Sequence, residues 1–139
     1  LMVKKTLGTY SPHFKLVLYK TMGEFPVPEG GMPASASIKV EVDGREEMTA
    51  ALGNGPVNAL DIALRKALTV FYPQIAETHL TDYKVRVLEQ NSSTDARVRV
   101  LIETSDDKNT WTTVGVSNDI LEASLIALVD SLEYKLSQS

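Results

Sequence analysis

Hydrophobic and polar positions along this chain fall into two kinds of period. "FKLVLYK", Phe14 to Lys20, is dense in apolar and aromatic residues and predicts a strand. In "ASIKVEVDG", apolar Ile38, Val40 and Val42 alternate with Lys39 and Glu41, the period of a strand with one buried face. Asp43-Gly44 predicts a tight hairpin turn, from which "REEMTAAL" returns. The period then changes. Beyond Gly53-Asn54-Gly55-Pro56, residues Leu60, Ala63, Leu64, Ala67 and Leu68 lie on one stripe of a helix, which Pro73 closes.

The second half repeats this order. "DYKVRVLE" predicts a strand with Tyr83, Val85 and Val87 on one face and a buried role for Val85. "ARVRVLIET" sets Val98, Val100 and Ile102 against Arg97, Arg99 and Leu101, "SDDKN" predicts the turn, and "TWTTVGV" returns. Ser117 or Asn118 is placed to cap a helix from about Asn118 to Leu136, with Ile120 or Leu121, Leu125, Leu128 and Leu132 on its buried side. Aligned at an offset of about 60–64, the halves predict two βββα units, residues 14–72 and 79–137, preceded by a linker remnant over 1–13. A three-stranded sheet with one helix leaves an apolar face uncovered, so the two units are expected to pack together in one α+β domain with internal pseudo-two-fold symmetry. The Pro- and Gly-rich "GEFPVPEGGMP" predicts a loop between the first two strands and carries no recognisable chemistry.

Composition narrows the function classes. A chain of 139 residues with 43% hydrophobic and 23% charged residues is sized for one globular domain. A net charge of −4 argues against a nucleic-acid surface. The absence of cysteine removes disulfides, thiol nucleophiles and zinc-thiolate sites, and suits a reducing cytoplasm. No apolar run approaches the ~20 residues of a membrane span. Leu1 ahead of Met2 suggests a piece of a longer chain.

Few residues offer catalysis. His13 and His79 lie in unlike contexts with no ligand spacing around them, so no metal site is expected. No Gly-x-Ser-x-Gly elbow exposes a serine. Glu46-Glu47 and Asp106-Asp107 fall in hairpin turns as solvated acids, and Trp111 fits a core or interface anchor better than a cofactor platform. The glycine turn remains, and it lacks both the lysine of a phosphate loop and the third glycine of a dinucleotide fingerprint. It has two readings. One is a tight turn with Pro56 in the first helical turn, where a missing N–H costs nothing. The other is a ligand site, in which exposed N–H groups beside a helix start hold a small anion such as a carboxylate. Gly115-Val116-Ser117-Asn118, its counterpart on this alignment, has one glycine and no proline.

"GNGPVNALDIALRKAL", "DYKVRVLE" and "WTTVGVSNDILEASLIALVDSLEYKL" together resemble the C-terminal regulatory domain of the α-isopropylmalate synthase and citramalate synthase family, from about Phe14 onward. The ending "DSLEYKL" is similar to the citramalate-synthase type more than to the leucine-regulated synthases. The resemblance implies a homodimer that binds the end-product amino acid, isoleucine or leucine, at the dimer interface. It also implies inhibition of a separate TIM-barrel domain that condenses acetyl-CoA with a 2-oxo acid and uses a divalent metal. This segment itself is expected to be non-catalytic and to need no cofactor. Carried onto matching positions, the effector pocket comprises Gly53, Asn54, Gly55, Pro56, Val57 and Asn58, then Leu80, Tyr83 and Val87, then Thr94 and Ala96, and finally Val116. Loop N–H groups suit the effector carboxylate, while Asn58, the loop carbonyls and Asp82 are alternative acceptors for its ammonium. Leu80, Val87, Ala96 and Val116 are the apolar socket. A dimerisation domain without an effector site is the rival reading.

Overall fold

The computed structural model describes residues 13–23, 34–88 and 97–138. In the first unit, β1 (Lys15–Gly23), β2 (Ala34–Val42) and β3 (Arg45–Gly53) form an antiparallel sheet in sequence order, followed by α1 (Pro56–Phe71). A short 3-10 helix, Pro73–Glu77, leads to the second unit. There β4 (His79–Leu88), β5 (Arg97–Ser105) and β6 (Thr110–Ser117) pair in the same way, followed by α2 (Ile120–Ser137). The fold is the α+β pair of βββα units that the periodicity predicts. The proline-rich loop before β2 lies outside the described residues.

Local chemistry accounts for these elements. Asp43 and Gly44 both take positive φ, 52° and 80°, which closes the β2–β3 hairpin with the twist its strands require. β2 alternates without interruption, burying Ala34, Ala36, Ile38, Val40 and Val42. Leu60, Ala63, Leu64, Ala67 and Leu68 of α1 are all fully buried, as their spacing predicts. Asp61 is buried beside them, where its carboxylate accepts from Arg65 Nε at 2.9 Å. Burial raises the Asp61 pKa and Arg65 opposes that rise. Arg65 also donates to Thr78 at 2.7 Å, which ties α1 to the end of the 3-10 helix.

The repeat keeps one offset, 64 residues, through every element. Tyr19 pairs with Ile38 and Ile38 with Thr49, while Tyr83 pairs with Ile102 and Ile102 with Thr113. A bulge interrupts β1 between Leu16 and Leu18, and another interrupts β4 between Leu80 and Asp82. Thr49 donates to the Ala63 carbonyl at 2.7 Å, and Thr113 to the Ala127 carbonyl at the same distance. The first-turn caps, Gly55 and Asp119, are 64 residues apart as well.

This register corrects several expectations. The counterpart of the glycine turn is Ser117-Asn118-Asp119, and Gly115 stands within β6 as the counterpart of Ala51. A Cβ on Gly115 would collide with the Ala123 carbonyl, so its glycine lets β6 approach α2 closely. Helix α2 is capped by Asp119 instead of Ser117 or Asn118, because the Asp119 carboxylate reaches Leu121 N at 2.9 Å. Ile120 is exposed, and burial on α2 extends well beyond one stripe, to 12 of its 18 residues. That follows from its place, packed on β5 and β6 and also against α1 and the 3-10 helix.

Several polar residues drawn inside are paired. Ser131 meets Thr104 at 2.5 Å, and its carbonyl accepts from Trp111 Nε1 at 3.1 Å. Glu133 pairs with His13, which gives that histidine a structural contact. Lys135 reaches Glu77 at 3.1 Å and Asp106 at 2.7 Å. Asp106 therefore is not merely solvated. Its bond to Lys135 and the N–H groups of Asn109 and Lys108 hold its carboxyl well below the usual range. Glu46 and Glu47 lie on β3, beyond the turn. Val85, expected in the core, is 40% exposed, and Val87 is 71% exposed, because this end of the edge strand β4 has little packed over it.

Candidate functional site: the start of the first helix

The turn into α1 is built around two glycines with different reasons to be there. Gly53 ends β3 buried, and a Cβ there would stand 2.5 Å from Ala59 N and 2.7 Å from Asn58 Oδ1. The close approach at Gly53 is therefore that of α1 itself. Gly55 differs. Its φ of −160° and ψ of 174° are extended backbone open to any residue, and no atom lies within 4 Å of where its Cβ would be. Neither sterics nor strain requires glycine at position 55.

The first turn of α1 has no side-chain cap, and Pro56 supplies no N–H. Asn58 turns back so that its Oδ1 accepts from Asn54 N at 3.1 Å. That bond closes the loop and leaves the helix start without a side-chain cap among the described residues. At the same point in the second unit the helix start is capped. Asp119 caps Leu121 N, Ser117 Oγ accepts from Asp119 N at 3.1 Å, and Ser117 bonds to Glu122 in the first turn. Leu121 N corresponds to Val57 N. The donor that meets a carboxylate in one unit has no side-chain cap in the other among the described residues, beside a residue with no side chain.

The remaining sequence-derived pocket residues divide by sheet face. Leu80 opposes Thr104, Tyr83 opposes Ile102 and Val87 opposes Val98, which puts all three on the face of the second sheet that carries buried Val100 and Ile102. Val116 opposes Arg99 and so lies on the other face, 40% exposed. Within one chain Val87 and Val116 point away from each other. Tyr83 is half-buried, with its hydroxyl 3.3 Å from Ser124 Oγ on α2. Thr94 and Ala96 lie outside the described residues. The sequence reading missed Tyr19, the counterpart of Tyr83. Its phenol pKa is raised by burial and by Asp119 and Glu122, so β1 of the first unit lies within electrostatic reach of the start of α2. The shared bulge sets Tyr19 and Tyr83, each followed by lysine, at the same 64-residue offset.

Among the described residues no group of three or more His, Asp or Glu side chains is arranged to hold a metal ion. No helix among them is long and apolar enough to cross a membrane.

Two pseudo-equivalent βββα units with one specialised helix start define a class, and comparison with known families supplies its name. The model of the LeuA allosteric (dimerisation) domain matches residues 1–136, and the chain belongs to that family. It is 49% identical over 139 residues to (R)-citramalate synthase of Geobacter sulfurreducens, covering 100% of this chain and 26% of that protein. Identity to (R)-citramalate synthase of Aquifex aeolicus is 46% over 98% of this chain and 26% of that protein. A 2-isopropylmalate synthase of Aquifex aeolicus is 36% identical over 78% of this chain and 19% of its own length. The chain thus spans about a quarter of the length of the citramalate synthases it matches.

Proposed function

We propose that this domain binds isoleucine as the end-product effector of a cytoplasmic citramalate synthase and holds two chains together while doing so. The carrying observation is the contrast between the two helix starts. Asp119 places a carboxylate on Leu121 N in the second unit, whereas among the described residues the equivalent Val57 N has no side-chain cap, and open space replaces the side chain of residue 55. A free amino acid brings the missing carboxylate. A charge-assisted bond of this kind at a helix start contributes about 1.5–3 kcal/mol. The ammonium is received by Asn58, the loop carbonyls or Asp82.

Tyr83 belongs to the pocket on the same logic. Asp119 and Glu122 at the start of α2 lie within electrostatic reach of Tyr19, and by the repeat Tyr83 is taken to face the start of α1. Val116 on the outer sheet face fits an apolar socket completed across two chains, with Leu80, Val87, Thr94 and Ala96. The similarity to citramalate synthases supports isoleucine over leucine. The domain carries out no chemistry of its own. Its role is to inhibit a metal-dependent barrel that condenses acetyl-CoA with a 2-oxo acid. Calorimetric titration with isoleucine, leucine and valine tests the reading, with sedimentation in parallel. Isoleucine is expected to bind most tightly, to a dimer. Tighter leucine binding would point to the isopropylmalate-synthase role, and silence toward all three would leave a dimerisation domain alone.

A further inference from the structure

The outer face of the second sheet gathers three arginines that have no ion pair among the described residues. Arg86 on β4 stands directly opposite Arg99 on β5, and Arg97 shares the alternation of Arg99. Like charges directly opposite on a sheet are destabilising. Three of the chain's five arginines are here, in a protein of net charge −4. The other two are engaged, Arg65 with Asp61 and Arg45 over the Phe71 ring at 5.2 Å. No ion pair to Arg86, Arg97 or Arg99 occurs among the described residues, and Lys84 beside them has only Asp82 at 3.7 Å. The fold does not require this cluster. At the equivalent positions of the first sheet, Met22 stands opposite Ser35.

A cavity of about 530 Å³ opens on these residues, lined by Lys84, Val85, Arg86, Arg99 and Leu101. That volume lies in the range of small-molecule sites. Planar guanidinium forks match phosphate oxygens with two parallel bonds each, and a bound anion would turn the Arg86–Arg99 repulsion into joint attraction. Leu101, on the same face as Arg99, gives the cavity an apolar side suited to an organic group.

We propose that this face binds a phosphate-rich small anion, an organic di- or triphosphate, between Arg86 and Arg99. The site is separate from the glycine turn, although Val116 of the proposed apolar socket stands opposite Arg99 on the same face. The test is calorimetric titration of the protein with inorganic triphosphate and with ATP, at about 50 mM and about 200 mM salt, where screening differs. Both are expected to bind, more weakly at the higher salt. The variant Arg86→Leu/Arg99→Leu is expected to lose at least ~10-fold in affinity. The equally neutralised Lys20→Gln/Lys108→Gln, with exposed lysines elsewhere, should stay within about twofold. Thermal melts confirm folding, and Arg86→Lys, which keeps the charge but loses the fork, should show an intermediate loss. Absence of triphosphate binding, or equal losses in the two double variants, would overturn the proposal.

Discussion

Replacing Gly55 by aspartate would install in the first unit the cap that the second unit already has. The backbone permits it, since Gly55 is extended and the space around its missing Cβ is open. Three effects stabilise the variant. Aspartate improves on glycine as a cap by a few tenths of a kcal/mol. Lower freedom in the unfolded chain adds about 0.4–1 kcal/mol. A negative charge at the helix start adds about 0.3–1 kcal/mol. Together these give roughly 1–2 kcal/mol, or roughly 3–8 °C in Tm for a chain of this length. The same carboxylate would occupy the place of an effector carboxylate and repel it. Losing a bond of about 1.5–3 kcal/mol corresponds to a Kd weakened by roughly 10- to 150-fold. A thermal melt and a calorimetric titration with isoleucine, run on one preparation, measure both consequences. Gly55→Ala, which adds no charge, should keep most of the affinity. An aspartate variant that melts higher yet binds isoleucine within about threefold of the parent would refute the argument, because the carboxylate would then bind elsewhere.

Three further outcomes follow from the packing. Gly115→Ala drives a methyl group into the Ala123 carbonyl and should cost about 1–3 kcal/mol in chemical denaturation. Thr113→Val removes the bond from β6 to the Ala127 carbonyl at nearly constant shape, and a loss of about 0.5–1.5 kcal/mol is expected, with Thr49→Val matching it in the first unit. Asp130 is half-buried with Oδ1 unbonded among the described residues, and burial pushes its pKa up to about 6. Its folded pKa exceeds the unfolded value, so its part of the stability is present at low pH and lost as pH rises from about 4 to about 6. Asp130→Asn should therefore raise Tm at pH above about 6 and leave it nearly unchanged near pH 4, as melts across that range would show.

The two periods in the sequence were enough to place every strand and both long helices, because each depends on neighbours in the chain. Asp43-Gly44 and the α1 stripe are legible for that reason. What escaped depends on partners elsewhere. Ser117-Asn118-Asp119 offers three capping residues in a row, and only the backbone path selects Asp119. Gly115 reads as a turn residue until Ala123 is seen against it. Val85 and Val87 alternate like core residues, yet they lie on an edge strand that little covers. Glu133 and Lys135 look like solvent-facing charges and are buried against His13, Glu77 and Asp106. At the candidate site the glycines were visible, but not their division of labour between packing at Gly53 and open space at Gly55.

The strand order also has a kinetic meaning. Among the described residues every strand pairing joins neighbours in sequence, and none crosses from one unit to the other. Each sheet can therefore close through short loops, at low entropic cost, without waiting for the other half. One event cannot happen that way. Helix α2 buries its surface against its own sheet and against α1 and the 3-10 helix together, so it is complete only when both halves are present. Folding then divides into two fast local closures and one slower docking step. Substitutions at Leu125, Leu128 or Leu132 that weaken α2 docking should slow the last step, whereas changes at the Asp43-Gly44 hairpin should slow the first.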